Sequence, residues 1–279
     1  MQFGVSTHLY HDARLDRDHL VEIAAHGFTA VEIFATRTHV DYHDAQALSA
    51  LLEHLGDSGL RAHSVHAPIT ESLRDGVWGP AYSLATTDDG ARKRAVDETV
   101  VALRAAEQLR AGFLVLHLGV PLAQQPDGRD NRRDAVLRSL QAVHEAAEGS
   151  GVRLALELIP NPISEADALV TVIDEELEAT DIGICLDTGH AFLMGDLVDA
   201  IEVVSGHLVT THLHDNRRTS DDHLVPFDGA IDWAEAAMTL QKVGYEGMWL
   251  FELAATDTPR RVLERAQSAR RRLERFLSV

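Results

Sequence analysis

The sequence predicts an α/β protein folded as a single (β/α)8 barrel over residues 1–279, and three observations point to it. Short β-branched or apolar runs alternate from end to end with longer amphipathic stretches, without a Pro/Ser linker or a break in composition. Most of the longer stretches stop at a glycine just before the next run, at Gly27, Gly59, Gly112, Gly151 and Gly244, as expected for a left-handed helix cap feeding a parallel strand. Eight such units in about 250 residues is the repeat of a closed barrel. An open doubly wound sheet is the alternative, but no GxGxxG follows the first run.

Taken in order, strand 3–6 leads to a helix near 16–26 that opens on Asp16 and stops before Gly27. Strand 30–34 is followed by helix 44–58, opened by Asp44. Strand 61–66 runs into a long connection, Ala67 to Thr87, before helix 88–110, opened by Asp88. Strand 113–117 precedes helix 130–150, strand 153–157 precedes helix 165–178, and strand 182–187 precedes helix 196–205. Strand 208–212 then leads to helix 232–243, and strand 248–253 to helix 258–277. In that last helix Val262, Leu263, Ala266, Leu273 and Phe276 fall at helical spacing, so its arginines read as a solvated outer face.

Composition narrows the function. Of 279 residues 44 are acidic and 25 basic, a net charge of −19, which opposes a polyanion and disfavours nucleic acid as partner. The single Cys185 excludes an intramolecular disulfide framework and a CxxC metal or redox site, so any metal falls to His, Asp and Glu. The amino terminus reads as a strand rather than a signal peptide, and no run of about 18 apolar residues would span a membrane, so the expected location is the cytoplasm. The only lysines, Lys93 and Lys242, lie in helical stretches, leaving no evident Schiff-base lysine and no phosphate loop.

A barrel keeps its chemistry at the carboxyl ends of its strands. Those ends carry Glu32, His66, His117, Glu157, Asp187, His212 and Glu252, while the opposite ends carry mostly Gly, Arg, Thr and Val. Two residues earlier on the same faces stand Ser64, Val115, Ala155, Cys185, Thr210 and Leu250, small or apolar as a barrel interior requires, which makes Cys185 a core thiol. Glu157 and Glu252 are embedded in apolar strand sequence, where a lone carboxylate would be expected in a salt bridge. Together with Asp187 they put three carboxylates on one rim without an evident cation, and a divalent metal is the natural counter-charge. A nitrogen ligand could come from either His212 or His214, which alternate on one strand; spacing alone does not choose. His8, His11, His43 and His54 are expected in loops or helices with no convergent partners. The Ala67–Thr87 connection carries Trp78 and Tyr82 and reads either as a lid that stacks on substrate or as a surface excursion with Trp78 packed on the rim.

The segments Leu156-Glu157, Ile184-Cys185-Leu186-Asp187-Thr188-Gly189-His190, His212-Leu213-His214-Asp215-Asn216, Asp221-Asp222-His223, Gly229-Ala230-Ile231-Asp232-Trp233 and Phe251-Glu252 resemble the xylose isomerase-like barrel superfamily of sugar and sugar phosphate isomerases and epimerases. The match runs in order over nearly the whole chain. The resemblance implies metal ligands Glu157, Asp187, His212 and Glu252, Mn2+ as the first choice of ion with Zn2+, Mg2+ or Co2+ as alternatives, and a small sugar-like substrate. It implies substrate contacts at His190 and Arg218, with His66, His117, His214 and Trp78 as further candidates, and a homo-oligomer paired through outer helices. A ketose with its carbonyl on such an ion has an acidified neighbouring proton, which Glu157 and Glu252 would remove from one face and return to the other.

A second branch of the same superfamily, endonuclease IV-type enzymes, resembles the chain at more positions. In that scheme His66, His117 and Glu157 hold one zinc, Glu157, Asp187, His212 and Glu252 a second, and His190, Asp221 and His223 a third. The residues after His66 and His117 depart from the nuclease flanks, and the acidic charge opposes DNA. The resemblance therefore implies an isomerase or epimerase ahead of a metal-dependent lyase or dehydratase and a phosphodiesterase.

Overall fold

The computed structural model describes residues 2–74, 77–177 and 181–276, except the side chain of Glu176. Its strands are β1 (Gln2–Ser6), β2 (Ala30–Phe34), β3 (Arg61–His66), the short β4 (Leu73–Arg74) and β5 (Val77–Trp78), β6 (Phe113–Leu116), β7 (Arg153–Glu157), β8 (Gly183–Asp187), β9 (Leu208–Leu213) and β10 (Met248–Phe251). All but β4 and β5 close into one barrel, in the order β1-β10-β9-β8-β7-β6-β3-β2, with parallel pairing throughout. The eight barrel strands match the predicted ones to within two residues at each end; His117 falls one residue beyond β6.

Strand alternation builds the two sides of the barrel wall. Leu114, Leu116, Leu154, Leu156, Ile184 and Leu186 belong to the large cluster shared with the helices, while Val115, Ala155 and Cys185 form a separate small cluster with Phe113 and Val209. Ala30, Met248 and Leu250 form another. Cys185 is a buried free thiol, as the sequence predicts. Two register slips interrupt the pairing, leaving His63 as the extra residue on β3 and Val209 on β9. The first lets His63 Nε2 meet Thr210 Oγ1 at 2.9 Å while its neighbour Ser64 donates to Glu32 Oε2 at 2.8 Å.

The helices are α1 (Arg17–Ala25), α2 (Ala45–Asp57), α3 (Asp89–Gln108), α4 (Arg133–Ala147), α5 (Ala166–Thr171), α6 (Thr188–Met194), α7 (Leu197–Val204), α8 (Trp233–Lys242) and α9 (Pro259–Phe276). Asp16, Asp44, Asp88, Asp196 and Asp232 each accept first-turn amides, a cap that contributes about 1 kcal/mol. Gly27, Gly59, Gly151 and Gly244 take the expected left-handed conformation, but Gly112 does not. There α3 ends early enough that Arg110 is the left-handed residue, at φ 57°. The helix α6 was not expected; it follows β8 directly. The expected ends at Glu178 and Leu277 lie outside the described residues. In α9 the arginines Arg260, Arg261 and Arg270 pair with Glu264, Asp257 and Glu274, the predicted solvated face. No helix among the described residues is long and apolar enough to cross a membrane.

Candidate active site

Carboxylates from four other strands converge on His212. Its Nδ1 lies 3.0 Å from Glu157 Oε1 and 3.4 Å from Glu252 Oε2, and its Nε2 lies 3.1 Å from Glu32 Oε2. Asp187 Oδ2 is 3.9 Å from the same Nδ1. One donor atom from each of Glu157, Asp187, His212 and Glu252 can be chosen so that all lie within 4.8 Å of one another, and all four residues are buried. Burial alone would push the Glu157 carboxyl up, but His212 and His117 outweigh it and hold it well below the usual carboxylate range. The same contest leaves Glu32 lowered, by His212 and His66, and Asp187 lowered, by His190 and His214. Burial opposes charge on His212, and the surrounding Glu32, Glu252 and Glu157 carboxylates reverse that and raise it well above the usual value.

Further sets of donors adjoin this floor. His66 Nε2 and His117 Nε2 approach the same Glu157 Oε2 at 3.0 and 3.1 Å. Burial lowers His117, whereas at His66 the hydrogen bond and charge of Glu157 overcome burial and raise it to about 9. Asp221 Oδ2 lies 3.0 Å from His190 Nε2 and 3.2 Å from His223 Nε2, with the His214 ring stacked 3.8 Å from that of His223. His214 thus joins the group His190, Asp221 and His223, and His212 joins the three carboxylates, the choice that spacing left open. Two atoms of residues bonded into these clusters, Glu32 Oε1 and His214 Nδ1, are buried without a hydrogen-bond partner. Clustered oxygen and imidazole donors with orphaned polar atoms and no lysine or arginine suit a divalent cation.

Local structure explains how these side chains are held. Asp187 Oδ1 accepts the His190 amide at 2.7 Å, so the carboxylate that ends β8 also starts α6 and thereby sets His190. His190 Nδ1 lies 3.0 Å from Leu158 O. Gly189 is needed because a Cβ there would collide with the His214 ring. After β9, the buried Asp215 carboxylate accepts the amides of Asn216, Phe227, Gly229 and Ile231 and the indole N–H of Trp233, at 2.8 to 3.1 Å. That ties the Gly229–Trp233 motif under the loop carrying Asp221 and His223.

Above the floor lies a cavity of about 320 Å³. His66, His117, His190, Asp221, His223 and Glu252 line it, and Trp78 forms part of its wall; Glu157, Asp187, His212 and His214 lie buried outside its lining. Arg218 is not brought there. At φ 64° its backbone turns the guanidinium away, to Gly195 O at 3.0 Å and over the Phe192 ring at 4.3 Å. His8 and His11, expected to lack partners, line the cavity instead: their rings stack at 4.4 Å, and His8 is 5.0 Å from the His223 ring. The turn Thr7–Tyr10 directly after β1 carries His8 there, its Nδ1 held 3.1 Å from Leu253 O. Within the Ala67–Thr87 connection, β4 and β5 form a small antiparallel pair that presents Trp78, 45% exposed, with its ring stacked on His11 at 5.5 Å. Glu32, one of the expected strand-end residues, has no role in the implied ligand set, yet it carries the same signal as Glu157 and Glu252, a carboxylate inside an apolar strand.

A family model described as xylose isomerase-like TIM barrel matches residues 20–277. The chain belongs to this family. Among curated proteins, D-psicose 3-epimerase of Enterocloster bolteae is 24% identical over 245 residues, covering 85% of this chain and 76% of that protein. A probable endonuclease 4 of Halobacterium salinarum is 27% identical over 190 residues, covering 59% of this chain and 65% of that protein. Among solved structures, a D-tagatose 3-epimerase-like protein superposes with a TM-score of 0.79 at 24% identity, covering 100% of this chain and 97% of the other. The IolI protein with a bound zinc atom superposes at 0.77 and 16% identity, covering all of both chains. These superpositions show the barrel fold.

Proposed function

We propose that the chain is a divalent-metal-dependent sugar epimerase or isomerase in which Glu157, Asp187, His212 and Glu252 hold the ion and Glu157 and Glu252 move the proton. The observation that carries this is the convergence of those four buried donors within 4.8 Å beside a cavity of about 320 Å³. A cation bound there would supply the electrophile that acidifies the C–H next to a substrate carbonyl. Glu252, on the cavity wall, takes that proton from one face, and Glu157, buried just beneath the lining, returns one to the other. Return to the same carbon inverts it; return to its neighbour isomerises the sugar. His190 and His66 line the wall and hold hydroxyls. The similarity to D-psicose 3-epimerase supports the reading.

The test is solvent deuterium incorporation into D-psicose, D-tagatose and D-fructose, with metal counted per chain. One ion and exchange next to the carbonyl is the expected result. Full exchange by a Glu252→Gln variant refutes the two-glutamate scheme.

A second reading, a phosphodiesterase with three metal ions, is favoured by one observation. His66, His117 and Glu157 form one donor group and His190, His214, Asp221 and His223 another, beside the four-residue cluster. Against it stands a net charge of −19 and a cavity lined by no lysine or arginine to meet DNA phosphates. Three tightly held zincs with incision of abasic DNA would establish it.

A further inference from the structure

The cavity wall includes none of the chain's 25 lysines and arginines, and the residues outside the described set contain neither type. Proteins grip a phosphate group with such cations or with free backbone amides, and barrels that do so place them on the loops after the seventh and eighth barrel strands. Several amides on both loops already have partners within the chain. After β9, the amides of Asn216, Phe227, Gly229 and Ile231 converge on the chain's own Asp215 carboxylate, which fills the nest an anion would occupy. After β10, the amides of Ala254, Thr256 and Thr258 donate to His223 O, Ala254 O and Asp257 Oδ1. Arg218, the nearest arginine in sequence to the Asp221–His223 pair, is spent on Gly195 O and the Phe192 ring.

Part of the cavity wall is made of ring faces. From His223 the rings of His8, His11 and Trp78 follow one another at 5.0, 4.4 and 5.5 Å, and the lining also includes Val120, Pro121 and the neutral Thr70, Tyr82 and Gln124. Such faces suit the C–H surface of a sugar, while the carboxylates of Asp221 and Glu252 repel an anion and no lysine or arginine of the lining offsets them. A volume of about 320 Å³ is at the small end of ligand pockets, the size of one monosaccharide.

We propose that the site takes an unphosphorylated monosaccharide and rejects its phosphorylated counterpart, holding the end remote from the carboxylates against the Trp78–His11–His8 ring wall. This rests on the sugar epimerase or isomerase reading above. Its test pairs neutral ketoses with charged ones: D-fructose, D-psicose and D-tagatose against D-fructose 6-phosphate and D-ribulose 5-phosphate, each followed by deuterium exchange with the metal-supplemented protein. The phosphates should show a kcat/KM about a hundredfold lower or less. Equal or better exchange of the phosphates overturns the proposal and leaves the epimerase reading standing; exchange of no sugar at all removes that reading and the proposal with it. An independent readout is tryptophan fluorescence, since Trp233 and Trp249 are each 2% exposed and Trp78 is 45% exposed. The neutral sugar that exchanges best should change the emission of the native protein and not that of Trp78→Phe. An unchanged response in that variant overturns the role of the ring wall.

Discussion

Replacing Asp215 with asparagine tests whether one buried carboxylate organises the loop over the site. The side chain is fully buried, and its Oδ2 accepts from Phe227 N, Gly229 N and Trp233 Nε1 while its Oδ1 accepts from Asn216 N and Ile231 N. Asparagine has the same shape, so no cavity opens, but one oxygen becomes an NH2 that can only donate. The amide would turn its oxygen toward the three donors and leave the Asn216 and Ile231 amides without an acceptor. At about 1–3 kcal/mol for each unsatisfied buried donor, the loss is about 2–6 kcal/mol. Urea unfolding read by far-ultraviolet circular dichroism gives the number, and amide exchange locates it: protection should fall at residues 227–231 well before the barrel strands. A loss below about 1 kcal/mol, with protection at these amides unchanged, would refute the view that the carboxylate holds the loop.

Other outcomes follow from single positions. Gly189→Ala should destabilise by about 1–3 kcal/mol because its Cβ meets the His214 ring, although helix propensity alone predicts a gain of about 1 kcal/mol; the sign of the shift in unfolding midpoint decides. His39 is enclosed, with Nδ1 2.6 Å from Ala13 O and Nε2 3.1 Å from Thr7 Oγ1, and burial pushes it down to about 4 from 6.5. The unfolded chain therefore takes up this proton first as pH falls, so the contribution is whole above pH 6.5 and about 3 kcal/mol is lost between 6.5 and 4. An NMR titration placing His39 above 6, or a His39→Gln variant with the same pH dependence as the native protein, would contradict this. Cys185 is fully buried, and burial pushes its thiol up, so it should resist aromatic disulfide reagents until urea unfolds the barrel; labelling of the native protein within minutes would contradict the core assignment.

The barrel was legible because its signals are local. Each strand is a short apolar run with a polar residue at one end, and each is followed within a few residues by a capped, amphipathic helix or its connection. The floor was legible for the same reason, since Glu157, Asp187 and Glu252 break apolar runs. Glu32 does so too, but its partner His212 is 180 residues away and nothing local links them. His8 and His11 were misjudged on the same ground: His8 is fastened to Leu253, 245 residues on, and closure of β1 against β10 makes them neighbours. The helix α6 escaped notice because it has only seven residues, with Gly189 in its first turn, and owes its start to Asp187. Arg218 is implied as a substrate contact only by the resemblance, and its positive φ, which a motif does not reveal, sends the side chain elsewhere.

The Asp187 carboxylate has two duties: one oxygen anchors the first turn of α6, and the group as a whole faces His212 and His214. Aspartate and glutamate are interchangeable as oxygen donors in many cation sites, so drift between them is an ordinary path for such a residue. Here the path is closed. One extra methylene would lift the carboxylate off the His190 amide, and the helix that aims His190 and seats Gly189 against His214 would lose its start. Variation in this site is thereby channelled to positions with a single duty, such as Trp78 and the loop around it, where chemistry and scaffold are not carried by the same atoms.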